Sequence, residues 1–132
     1  MKLNSLTPNV MVHDVNQTIE WYRTNLGFEL VMSVPEEGKS EWAMISRDAV
    51  NLMLQTRESI AAEQPEFTDM PIGASQSFFI KVTGLEEIFE KITDTRAVIK
   101  PLYKTFYGMN EFIIRDCNGY YLTFAEEDSA KS

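Results

Sequence analysis

The sequence predicts an α+β protein made of two tandem βαβββ modules. Three observations carry this: a length of 132 residues, short runs in which apolar and polar side chains alternate, and an apolar pattern that recurs at an offset of seventy residues. Single domains cluster near ~100–150 residues, so the length fits one domain or a fused pair of half-domains. The expected organisation is one domain over 1–132, with a first module over 6–55, a connecting loop over 56–75 and a second module over 76–127.

Leu6-Thr7-Pro8-Asn9-Val10-Met11-Val12 opens the chain as a strand, because Val10 and Val12 alternate with Asn9 and Met11. Asp14 is the expected N-cap of a helix of about three turns, with Gln17 placed to complete a capping box. Val15, Ile19, Tyr22 and Leu26 follow at helical spacing, and Gly27 ends it. Strands are expected over 28–33, 41–46 and 49–55, broken at Pro35-Glu36-Glu37-Gly38 and at Arg47-Asp48. Residues 56–74 contain Pro65, Pro71 and Gly73 with weak periodicity, which predicts a loop or at most a short helix. A strand over 77–82 follows, then Gly84, a helix buried through Leu85, Ile88, Phe89 and Ile92, and strands over 98–103, 111–115 and 120–124.

At the seventy-residue offset Val12 falls on Val82, Val15 on Leu85, Ile19 on Phe89 and Tyr22 on Ile92. The same offset carries Val50 onto Tyr120, Leu52 onto Leu122 and Leu54 onto Phe124. Two amphipathic segments can match by hydrophobicity alone, but agreement of helix and last strand at one offset points to an internal repeat.

Composition removes several function classes. The chain is 44% hydrophobic, 11% aromatic and 24% charged, which suits a packed core. Twelve Lys plus Arg against twenty Asp plus Glu leave a net charge of −8, which repels phosphate backbones and anionic lipid and favours a cationic ligand. Neither nucleic acid nor membrane is an expected partner. No run approaches the ~20 apolar residues of a membrane span, and Met1-Lys2-Leu3-Asn4-Ser5 does not read as a secretion signal, so a cytoplasmic location is expected. The single cysteine, Cys117, lies in an expected hairpin turn with no histidine near it in sequence and reads as structural.

Strand alternation sorts side chains onto two faces. Val10, Val12, Val50, Leu52, Leu54, Phe78, Ile80, Val82, Tyr120, Leu122 and Phe124 share one parity and belong under the helices. The other parity offers Asn9, Met11, Met53, Gln55, Phe79 and Tyr121, with Thr7, Asn51, Ser77, Lys81, Thr123 and Ala125. Such a mixture of amides, hydroxyls, thioethers and rings lines small-molecule cavities. A solvated sheet face is the plain alternative, and Met53, Phe79 and Tyr121 favour the cavity because open water suits them poorly. The one histidine, His13, sits in a turn and reads as solvated, and the six glycines are scattered singly rather than forming a phosphate-cradling loop. Glu36-Glu37 and Glu86-Glu87 read as solvated charge.

The repeat at these lengths, over about residues 6–127, resembles the vicinal oxygen chelate superfamily, which includes glyoxalase, extradiol dioxygenases, methylmalonyl epimerase, fosfomycin-modifying enzymes and bleomycin resistance proteins. The segment Tyr107-Gly108-Met109-Asn110-Glu111-Phe112-Ile113-Ile114-Arg115-Asp116-Cys117-Asn118-Gly119, followed by Phe124-Ala125-Glu126-Glu127-Asp128, is most similar to bleomycin resistance proteins. Leu6-Thr7-Pro8 and Val82-Thr83-Gly84-Leu85-Glu86-Glu87 are similar as well. Tyr107 stands where tryptophan is common in that group, and Cys117 where proline is usual.

This resemblance implies an open half-barrel with helices on the outer side. It also implies a metal site on the first and last strands of each module, which falls here on Thr7, Met53, Ser77 and Thr123. One thioether and three neutral hydroxyls hold a divalent cation weakly. No metal, cofactor or catalytic residue is therefore expected. The implied function is binding and sequestration of a cationic, aromatic antibiotic such as bleomycin by a homodimer. Trp42, Phe106 and Tyr107 are the stacking candidates, Glu111 and the Glu126-Glu127-Asp128 cluster supply negative field, and Phe112 reads as core by parity with Ile114. Pro8 resembles a hinge for exchange of the N-terminal segment between subunits. The alternatives are a glyoxalase-like lyase, isomerase or dioxygenase with an atypical metal site that uses positions such as Glu111, and a binder of another metabolite.

Overall fold

The computed structural model describes residues 1–73 and 75–128; Ala74, the end of the expected connecting stretch, and residues 129–132 lie outside the described residues. The chain divides into two compact units, residues 1–23 with 27–72 and residues 24–26 with 73 onward. Each unit carries an open four-stranded sheet, so the α+β architecture of two repeated modules stands.

The first module runs β1 (Asn9–Val12), α1 (Val15–Leu26), β2 (Glu29–Val34), β3 (Trp42–Arg47) and β4 (Val50–Thr56). Its strand order is β1-β4-β3-β2, with β1 parallel to β4 and the other pairs antiparallel. β1 is shorter than its alternation suggests: Leu6 is exposed, and Pro8, which has no N–H to give, contributes only its carbonyl to the Met53 N–H at 2.9 Å. The Asp14 carboxylate accepts from the Gln17 N–H at 2.8 Å and starts α1. Gly27 closes the helix at φ 66°, a left-handed conformation that a Cβ would strain. Val15, Ile19 and Tyr22 of α1 are buried, as are Val12, Ala43, Ile45, Leu52 and Leu54 of the sheet. The Tyr22 ring meets Phe28 edge-on at 5.4 Å.

The segment after β4 is more ordered than its prolines suggest. Helix α2 (Arg57–Glu63) begins under the Thr56 hydroxyl, which accepts from the Ser59 N–H at 3.2 Å, and a 3-10 turn covers Pro65–Asp69. The prolines fall after the helix, and Pro65 opens the 3-10 turn, where a missing N–H costs nothing. Arg57 then clasps that turn, donating to the carbonyls of Phe67, Thr68 and Met70 at 3.3, 3.0 and 2.6 Å.

The second module runs β5 (Ser77–Lys81), α3 (Leu85–Glu90), β6 (Val98–Lys104), β7 (Met109–Arg115) and β8 (Tyr121–Glu127), in the order β5-β8-β7-β6. α3 is six residues long and does not reach Ile92. The β-branched pair Ile92-Thr93 and then Asp94 disfavour another helical turn, so Ile92 is buried from the turn that follows. Phe112 is fully buried, stacked on Phe124 at 4.9 Å and edge-on to Phe89 at 5.1 Å. Its parity with Ile114, also fully buried, is as expected. In the β7–β8 hairpin the Asp116 carboxylate accepts from the N–H groups of Asn118 and Tyr120, both at 2.9 Å, and Gly119 takes φ 95°.

The repeat is visible in the pairing itself. Asn9, Val10 and Met11 stand opposite Met53, Leu54 and Gln55; seventy residues later Phe79, Ile80 and Lys81 stand opposite Thr123, Phe124 and Ala125. Among the described residues no helix is long and apolar enough to cross a membrane.

Candidate functional site

Cross-strand partners share a face, so the registers define what each sheet presents away from its buried side. In the first unit one row reads Asn9, Met53, Met44, Met32 and the next Met11, Gln55, Trp42, Val34. Four of the seven methionines of the chain lie in these rows, and neither row carries a charge. Thioethers beside an indole make a soft, adaptable surface.

Not all of it is accessible. α2 packs against β1 and β4, and its Ser59 hydroxyl accepts from Gln55 Nε2 at 2.9 Å, while Gln55 Oε1 accepts from Asn9 Nδ2 at 2.8 Å. Met11 and Gln55, expected to meet a ligand, are each 5% exposed. That end of the face lies under α2, in the connecting segment expected to be a loop or at most a short helix. Asn9 remains exposed, and Trp42 and Met53 are half-buried.

In the second unit the rows read Phe79, Thr123, Ile113, Lys100 and Lys81, Ala125, Glu111, Tyr103. Glu111 faces away from Phe112 and the buried aromatic stack, yet it is only 2% exposed. Two phenols cover it: the Tyr103 hydroxyl donates to Oε1 at 2.7 Å and the Tyr107 hydroxyl to Oε2 at 2.5 Å. Burial first, and then the hydrogen bond to Glu111, push the Tyr103 phenol up to about 12. The same carboxylate raises the Tyr107 phenol, the hydrogen bond being the larger cause and burial the next. Both phenols stay protonated around neutrality and remain donors. The Lys100 ammonium stands over the Tyr103 ring, 3.8 Å from its centre.

Phe106 is almost fully exposed and meets the half-exposed Tyr107 ring edge-on at 5.0 Å. Phe79 and Tyr121 are exposed on the same sheet. The expected residues therefore fall into two groups: Asn9, Trp42 and Met53 on the first sheet, and Phe79, Glu111 and Tyr121 on the second, with Phe106 and Tyr107 in the turn between β6 and β7. Sequence reasoning missed Tyr103 and Lys100, and also Met32 and Met44. Alternation along β3 signalled Met44, whereas register irregularities in β2 and β6 upset simple parity for the others.

The expected field also needs revision. Glu126 is occupied in capping α3, accepting from the N–H groups of Gly84 and Leu85 at 2.7 and 3.2 Å, and Asp128 pairs with Lys104 at 3.4 Å. Glu20, Glu58, Glu63, Glu86, Glu87 and Glu90 are exposed on helices. The charge of −8 is thus spread over outer surfaces, and Glu111 is the acid that the second sheet holds among rings. Recesses of about 490 Å³ beside Ser40, Glu41 and Glu58 and about 360 Å³ beside Thr83, Glu126 and Glu127 contain none of the expected ligand residues.

The residues do not fit the divalent ion that the resemblance implies. Met53 and Thr123 lie on the sheets, Thr7 and Ser77 add only hydroxyls, and among the described residues no three His, Cys, Asp or Glu side chains are grouped to hold a metal. His13 is exposed between β1 and α1, and Cys117 is exposed in the β7–β8 turn.

Comparison with known proteins agrees with this architecture. TioX from Micromonospora sp. ML1 is 18% identical, with a TM-score of 0.74, over 94% of this chain and 98% of that one. A protein of unknown function from Agrobacterium tumefaciens is 15% identical with a TM-score of 0.76, over 96% of each chain. A glyoxalase/bleomycin resistance protein/dioxygenase from Nocardioides is 16% identical with a TM-score of 0.74, over 98% of this chain and 87% of that one. These likenesses show the fold. No functionally curated protein matches the sequence. The sequence profile of the Glyoxalase/Bleomycin resistance protein/Dioxygenase superfamily matches residues 2–124, and the chain belongs to that superfamily.

Proposed function

We propose that the protein binds and sequesters a small molecule bearing an aromatic ring and a positive charge, of the bleomycin kind, without changing it covalently. The observation that carries the reading is Glu111, a carboxylate 2% exposed and held between two protonated phenols on a sheet face. Two hydroxyl donors leave lone pairs on that carboxylate for N–H donors of a cation. Tyr107 adds exposed ring surface beside it and Phe106 in the same turn, while Phe79 and Tyr121 expose rings elsewhere on the same sheet. The proposal includes a homodimer, supported by the exposed Leu30 and Val31 on edge strand β2, and a cytoplasmic location.

Calorimetric titration with bleomycin at low and high salt tests it. Saturable binding that weakens with salt is expected, with the ligand recovered unaltered by mass. Glu111→Gln should weaken binding by about tenfold, the loss expected of a hydrogen bond to a charged group. No binding to bleomycin overturns the reading, and a chemically altered ligand or a stoichiometric metal with turnover points to an enzyme instead.

A further inference from the structure

We infer that Lys100 is a built-in stand-in for the cation of the ligand: its ammonium occupies the Tyr103 ring face that an alkylammonium group takes on binding, and the ligand must displace it. This rests on the proposed function and names the cationic part of the ligand as an alkylammonium.

The backbone is shaped to bring this pair together. Lys100 and Tyr103 are three residues apart, and in a regular strand an odd separation points side chains to opposite faces. β6 breaks its register twice, between Val98 and Lys100 and between Lys100 and Tyr103. At the second break three steps along β6 span two along β7, from Ile113 to Glu111, so both side chains come to the face that holds Glu111. Bulges that re-aim a side chain are common beside functional sites. Lys100 is exposed, and among the described residues its ammonium makes no ion pair. Its contact is the Tyr103 ring, 3.8 Å away, on a phenol whose hydroxyl is turned to Glu111. A tethered cation therefore already uses the ring face beside the buried carboxylate, and a free cation of the same shape competes with it. Four methylenes and an ammonium fit that place, since the lysine itself supplies them.

The test uses n-butylammonium, which copies the lysine side chain, followed by NMR at the Tyr103 ring signals, alongside bleomycin titration. Lys100→Ala should tighten n-butylammonium binding about two- to fivefold, the worth of one exposed cation–π contact. Lys100→Arg, which keeps a tethered cation, should leave it near the wild-type value. Adding Tyr103→Leu to Lys100→Ala should abolish the gain, with circular dichroism confirming that the variants fold. If bleomycin binds but Lys100→Ala tightens neither ligand, this inference falls while the proposed function stands. If n-butylammonium tightens and bleomycin does not bind, the cation place exists and the bleomycin reading falls. If neither ligand binds any variant, both fall.

Discussion

The two modules keep one backbone plan and fill it with different chemistry. Trp42 on β3 stands opposite Gln55, and Glu111 on β7 stands opposite Ala125, the residue seventy positions after Gln55. On the neighbouring edge strands Met32 and Val34 take the places that Lys100 and Tyr103 take in the second module. One face is thioether, indole and amide; the other is carboxylate, phenol and ammonium. Pairing by main-chain hydrogen bonds tolerates such divergence, because the ladder does not read side chains on its solvent face. The buried sides differ too. The first module sets a small Ala43 opposite Leu54 and fills space with Tyr22 and Phe28, whereas the second places Phe112 and Phe124 on the sheet itself.

That contrast is most sharply broken in the core. Phe112→Ala empties a site with no exposure and two ring partners, and should cost about 3–5 kcal/mol in urea denaturation. Ala43→Phe at the matching place of the first module should also destabilise, by about 1–3 kcal/mol, since a large ring already reaches in from α1. If Ala43→Phe is neutral, the two cores are interchangeable and do not differ in how they fill space.

The next effect is smaller and concerns the phenols. Tyr103 titrates near 12 in the folded chain, against about 10 when unfolded. The folded state thus keeps its proton longer, so the stability it contributes is complete below about pH 10 and fades as pH rises towards 12. Glu111→Gln removes the charge but keeps an acceptor, and should bring phenolate absorbance to lower pH, with part of the Tyr103 shift surviving because burial is its larger cause. Difference titrations against Tyr103→Phe and Tyr107→Phe assign the two groups. Superimposable curves for wild type and Glu111→Gln would show that the carboxylate does not govern them.

How much of this was legible in the sequence follows from where periodicity holds. Helix α1, with Asp14 and Gly27 at its ends, and the alternating strands β4 and β8 obey local rules, and the repeat could be counted. Glu111 entered through the motif Tyr107-Gly108 to Asp116-Cys117-Asn118-Gly119, which brought Tyr107 with it. Tyr103 and Lys100 stayed hidden because parity counting assumes a regular pleat, and β6 slips twice. The capping role of Glu126 was equally invisible, its partners Gly84 and Leu85 lying 42 and 41 residues away. Met11 and Gln55 were placed on the correct face, but no strand pattern reveals that a helix from the next segment covers that end.

That cover is the smallest effect and separates the modules most locally. The chain from Asn9 through Gln55 to Ser59 ties the first sheet to α2, and Ala125 at the place equivalent to Gln55 allows no such link in the second. Ser59→Ala should leave the Gln55 amide one acceptor short in a site only 5% exposed, at a cost of about 1 kcal/mol. Ser59 N–H still donates to the Thr56 hydroxyl at 3.2 Å, so the helix start survives the change. The loss should appear as faster hydrogen exchange in α2 and at Met11, while the second module exchanges as before. Unchanged exchange in α2 would mean that the buried Ile60 alone holds the helix down, and the polar link would be incidental to the covering of that face.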